Sequence, residues 1–92
     1  MSRPARYRVE LSPAAQRQLR RLPPGEAARL RAPILALAID PRPHDSTPLV
    51  GTPYQRLRLG DLRVVYLVDD PDKIVVLLRV ARRSESTYRR LR

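Results

Sequence analysis

The stretch Tyr54-Gln55-Arg56-Leu57-Arg58-Leu59-Gly60-Asp61-Leu62-Arg63-Val64-Val65-Tyr66-Leu67-Val68, with Lys73-Ile74-Val75-Val76-Leu77-Leu78-Arg79-Val80 after it, decides the fold. Residues 54–59 alternate polar and apolar, the period of a strand with one buried face. Residues 62–68 and 73–80 are rich in Val, Leu, Ile and Tyr and read as two more strands. Gly60-Asp61 is a tight turn and Asp69-Asp70-Pro71-Asp72 a longer one. Connections this short force neighbouring strands to run antiparallel. The stretch therefore predicts a three-strand meander. Its last strand, apolar on both faces over Ile74–Leu78, should be central.

Upstream, Arg6-Tyr7-Arg8-Val9-Glu10-Leu11 alternates in the same way and predicts a strand with Tyr7, Val9 and Leu11 inward. Ser12-Pro13 is an N-cap followed by proline at the first helical position. Ala15, Leu19 and Leu22 then make one buried stripe, while Gln16, Arg17, Arg20 and Arg21 face water. Pro23-Pro24-Gly25 ends this helix. A second helix is expected from about Pro24 to about Ile39, kinked or broken at Pro33, with Leu30, Ile34 and Leu37 inward. Residues 40–53, with four prolines and a glycine, read as an extended loop. The order is β-α-α-β-β-β with a short basic tail. The expected fold is α+β, one domain over residues 1–92. Its N-terminal strand and two helices would lie with a small, mostly antiparallel sheet, the helices on one face. The other face should be solvated.

Charge gives the first functional indication. Nineteen basic residues face nine acidic ones, for a net charge of +10. Lys73 is the only lysine. Such a balance suits a polyanionic partner. Arginine-rich codon usage would explain arginine over lysine, but not the shortage of acid. There is no cysteine, and His44 is the only histidine, so neither a metal site nor a cofactor is expected. No apolar run approaches the roughly 18 residues that span a bilayer. The basic N-terminus leads into no apolar segment, so a soluble, cytoplasmic protein without membrane contact is expected.

Arg56 and Arg58, two apart on a strand, project from one face, and Leu57 and Leu59 from the other. Arg63 follows the turn. Arg79, Arg82 and Arg83 lie at the end of the last strand, and Tyr88 beyond them. Strands about 4.8 Å apart bring Arg56, Arg58 and Arg63 within one nucleotide's length. Guanidinium groups pair bidentately with phosphate and stack on splayed bases of single-stranded RNA. A solvated strand face with arginines for solubility is the alternative. RNA cleavage without metal needs a base for the 2′-hydroxyl, an acid for the leaving oxygen and cations for the phosphorane. The cations are abundant. Tyr88 is the candidate for proton transfer, and His44 reads as a loop histidine.

Leu57-Arg58-Leu59, Leu62-Arg63-Val64-Val65-Tyr66, Ile74 to Arg83 and Tyr88 together resemble the RelE/ParE toxin superfamily. So do Tyr7 to Ala15, with Leu19 and Leu22-Pro23, and Pro48-Leu49-Val50-Gly51. The resemblance spans nearly the whole chain. Its RelE branch implies a ribosome-dependent, metal-independent endoribonuclease that cuts messenger RNA in the ribosomal A site. It implies catalytic roles for Arg56, Arg58, Arg63, Arg83 and Tyr88. Arg79, Arg82, Arg89 and Arg90 would extend the RNA-binding surface. Two features depart from the family: arginines stand where characterised RelE toxins commonly have lysines, and Arg82 and Arg83 compete for one position. The ParE branch implies inhibition of DNA gyrase instead. A non-enzymatic RNA-binding module would explain the charge but not the pattern. Either toxin branch implies a cognate antitoxin, acidic and laid across the basic face, with a heterotetramer as one assembly. Leu19, Leu30 and Ile34 read as core, with antitoxin docking as the alternative.

Overall fold

The computed structural model describes residues 6–83. Tyr88, Arg89 and Arg90 lie outside them. The chain forms β1 (Arg8–Leu11), α1 (Pro13–Arg21), α2 (Pro24–Ala36), β2 (Ser46–Pro48), β3 (Tyr54–Leu59), β4 (Leu62–Asp69) and β5 (Ile74–Arg82). The five strands form one sheet in the order β1-β5-β4-β3-β2. Only β1 runs parallel to its neighbour; every other pair is antiparallel. The meander of β3, β4 and β5 is the one expected, and β5 has a partner on each side.

Local chemistry sets the helices. Ser12 Oγ accepts the Ala15 N–H at 3.1 Å, and Pro13 opens α1. Arg20 and Arg21 occupy its last turn, where cations suit the helix dipole. Helix α2 runs through Pro33 to Ala36 rather than breaking there. Pro33 has no N–H for the Arg29 carbonyl, but Arg29 is exposed and water can take that role.

The core lies between the helices and one face of the sheet. Ala15, Leu30, Ile34 and Leu37 meet Leu57, Leu62, Val64, Tyr66, Val75, Leu77 and Val80. Burying each large side chain contributes about 1.5–3 kcal/mol. Leu30 and Ile34 thus belong to the core, and Leu19 packs against it.

Residues 40–53 are not all loop. Ser46–Pro48 pair antiparallel with Leu57–Gln55 and make β2. Three residues ending in proline carry little strand signal, and proline is tolerated there because β2 is an edge. The open face is also less solvated than alternation implies. Val65 is 1 % exposed, Ala81 6 % and Arg63 8 %, although all three lie opposite the helices.

A β-bulge decides which residues of β5 point where. Val65 pairs with Arg79 but Tyr66 with Leu77, so Leu78 is extra. Past it the alternation reverses. Val80 turns to the core, and Arg79 and Ala81 turn to the open face. Two α1-side groups hold the bulge: Ser12 Oγ donates to the Leu78 carbonyl at 3.2 Å, and Gln18 Oε1 accepts the Val80 N–H at 2.6 Å.

Candidate nucleic-acid interface

Pairing places the arginines in two rows across the open face. Arg58 stands opposite Arg63, and Arg63 opposite Ala81. One step along the strands, Arg56 stands opposite Val65, and Val65 opposite Arg79. Four arginines from three strands therefore share one face. Arg58 is exposed, Arg56 and Arg79 half-buried.

Arg63 is held by the backbone of the β3–β4 turn and of its own strand. Its Nη1 donates to the Gly60 carbonyl at 2.9 Å and to the Leu62 carbonyl at 3.1 Å. Gly60, at φ 60°, supplies the left-handed backbone of this two-residue turn. The guanidinium is thus tied to the β3–β4 turn by one nitrogen. Nη2 and Nε make no hydrogen bond among the described residues. A cation fixed in this way needs little reorganisation to meet a phosphate.

Arg82 and Arg83 go different ways. Arg82 pairs with Leu62 in register, so it points to the helix side. There its Nη2 meets Glu26 Oε2 at 2.6 Å. That hydrogen bond, with the charge of Arg82 behind it, holds the Glu26 carboxyl below its ordinary range. Arg82 is therefore not part of the open face with Arg56, Arg58, Arg63 and Arg79. Arg83 is exposed, and its backbone N–H donates to the Asp61 carbonyl at 2.7 Å. This bond ties it to the same turn as Arg63. His44 is exposed in the turn before β2 and makes no hydrogen bond or ion pair among the described residues. No group of three His, Cys, Asp or Glu residues able to hold a metal ion occurs among the described residues. No helix among them is long and apolar enough to cross a membrane.

Tyr54 is not among the residues expected at the site, yet it shares the strand face of Arg56 and Arg58. Its two-residue spacing from Arg56 was the available signal.

The profile of the ParE toxin of type II toxin–antitoxin systems, parDE, matches residues 9–87. The chain belongs to the RelE/ParE toxin family. Solved relatives agree. The RelBE2 toxin–antitoxin complex of Mycobacterium tuberculosis contains a chain 31% identical, with a TM-score of 0.76 over 84% of this chain and 98% of that one. The RelE–RelB complex of Pyrococcus horikoshii contains another, 31% identical, with a TM-score of 0.77 over 88% and 99%. The intact RelBE complex of E. coli, at 22% identity and a TM-score of 0.75 over 86% and 99%, shares the fold. The comparison with curated proteins finds no relative. The protein is thus a RelE-like toxin of a type II toxin–antitoxin system.

Proposed function

We propose that this RelE-like toxin is an endoribonuclease that cuts messenger RNA on the ribosome, in the cytoplasm. The observation that carries the reading is the pair of arginine rows, Arg58 with Arg63 and Arg56 with Arg79, on one open sheet face. Cleavage by the neighbouring 2′-hydroxyl builds charge on the phosphorane oxygens, and fixed guanidinium groups stabilise that charge. Arg56, Arg58 and Arg63 would hold the scissile phosphate. Arg83, tied to the Asp61 carbonyl, would add a cation from the side. Arg82 faces Glu26 instead, so Arg83 is the better candidate for the family's arginine after the last strand. Tyr88 would move a proton or stack on a base; Arg89 and Arg90 would add RNA contacts. No step requires a metal or cofactor.

The solved relatives are toxin–antitoxin complexes, which supports a cognate antitoxin for this chain. An acidic segment laid over the arginine rows would compete directly with RNA. The second reading, gyrase inhibition by a ParE-like toxin, is the less favoured one, because the solved relatives at 31% identity are RelBE2 and RelE–RelB complexes.

A translation extract tests the choice. Pure toxin should cut messenger RNA only when ribosomes are present, and Tyr88→Ala should slow the cuts strongly. Intact messenger beside arrested gyrase supercoiling would overturn the nuclease reading in favour of the second.

A further inference from the structure

We infer that Tyr54 is a base-stacking platform, holding one nucleobase of single-stranded RNA beside the arginine rows. The inference rests on the proposed RNA-cutting function and adds a recognition element to it. Strand β3 pairs with β4 without irregularity from Tyr54 to Leu59, so Tyr54, Arg56 and Arg58 share a face. Successive members are about 7 Å apart, close to one stretched nucleotide. Phosphate on an arginine and base on the ring can then follow one strand of RNA.

Three further observations single out this residue. Tyr54 is half-buried, and the positions beside it on the same face are Leu67 and then Val76, both half-buried and apolar. The ring thus stands at the edge of an apolar patch with part of its surface open. Its backbone is fixed: the N–H donates to Thr52 Oγ1 at 3.1 Å, and the carbonyl accepts the Leu49 N–H at 3.0 Å. Thr52 Oγ1 in turn donates to the Leu49 carbonyl at 2.8 Å. The platform is therefore rigid at its root. Finally, the other described tyrosines use their hydroxyls in tertiary structure. Tyr7 donates to Asp70 Oδ1 at 2.6 Å, and buried Tyr66 donates to the Pro41 carbonyl at 2.7 Å. Tyr54 makes no side-chain hydrogen bond among the described residues. A valine or leucine would serve the strand as well; the ring is what RNA can use.

The experiment measures single-turnover cleavage on ribosomes programmed with a defined messenger, as a function of toxin concentration. An abasic nucleotide is placed in turn at each position near the cut. Tyr54→Ala should raise the half-saturating concentration about 5- to 150-fold. Tyr54→Phe, which keeps the ring, should recover that loss. One abasic position should weaken the wild type by a similar factor and Tyr54→Ala no further. Losses that simply add at every position would overturn the inference, because a structural role cannot sense a missing base. Should Tyr54→Ala fail to fold, Tyr54→Leu keeps apolar volume without a ring and takes its place. Arg58→Ala separates the two levels. If it cuts like the wild type, the RNA reading itself fails. If it is crippled while Tyr54→Ala is not, only the stacking role falls.

Discussion

At the β4–β5 end of the sheet, charges are matched to one another; at the β3–β4 end, Arg58 and Arg63 on the open face meet no carboxylate among the described residues. Asp70 receives both guanidinium nitrogens of Arg42, at 2.9 and 3.2 Å, and the Tyr7 hydroxyl at 2.6 Å. Lys73, in the left-handed region at φ 56°, places its ammonium 5.0 Å from the centre of the Tyr7 ring. One carboxylate thereby links the residue before β1, the segment after α2 and the β4–β5 turn. At the far end, Arg63 has only backbone carbonyls, and Arg58 makes no ion pair among the described residues. Of the acids near this end, Glu26 is taken by Arg82 on the other side of the sheet, and Asp61, exposed in the β3–β4 turn, makes no ion pair among the described residues. The first arrangement satisfies charge within the fold. The second leaves positive charge for a partner outside it.

The sharpest way to break this contrast is to remove one cation from each end. Arg58→Ala should slow messenger cleavage about 100- to 1000-fold, the range for losing one fixed stabiliser of transition-state charge. Its urea midpoint should stay near wild type, because Arg58 is exposed. Arg63→Ala should slow cleavage equally but also cost about 1 kcal/mol of stability, since the Gly60 and Leu62 carbonyls lose their donor. Arg42→Ala at the other end should leave cleavage intact. Equal cleavage defects at both ends would show that the contrast has no functional content.

A smaller effect is expected from the bulge that turns Arg79 to the open face. Gln18→Ala leaves the Val80 N–H without its acceptor beside a buried side chain. The expected cost is about 1–3 kcal/mol by chemical denaturation. Cleavage should also fall if the bulge slips, because a regular strand would put Arg79 on the same face as Val75. Lost stability with wild-type cleavage per folded molecule would show that Arg79 keeps its place without Gln18.

This bulge marks the limit of what the sequence discloses. The meander, the capped start of α1 and the shared face of Arg56, Arg58 and Arg63 follow from local periodicity and turn chemistry. The Leu78 bulge does not, because Leu77-Leu78 is apolar in either register. Its anchors, Ser12 and Gln18, are distant in sequence. Strand β2 was illegible for a related reason: Ser46-Thr47-Pro48 is a strand only because β3 pairs with it. The direction of Arg82 depends on the same reversal of alternation, and on Glu26 across the sheet. Local pattern therefore gave the cations of the site, while long-range packing chose which of them share a face.

The smallest effect belongs to the matched end, and pH reveals it. Hydrogen bonds from Arg42 and then Tyr7 lower the Asp70 pKa from an ordinary 3.8 to about 2. A carboxyl with a depressed folded pKa contributes stability that is fully present above 3.8. That contribution is lost as pH falls from there to about 2. The ion pair is half-exposed on both sides, so the contribution is small and screened by salt. Asp70→Asn should be slightly less stable than wild type at pH 7. Its deficit should shrink through this acid window and vanish near its lower end, in urea titrations at low ionic strength. Every other carboxylate is common to both proteins, so the difference isolates Asp70. Parallel curves would mean that Asp70 is not held by Arg42 and Tyr7, and the matched end would then be no better neutralised than Arg58 and Arg63.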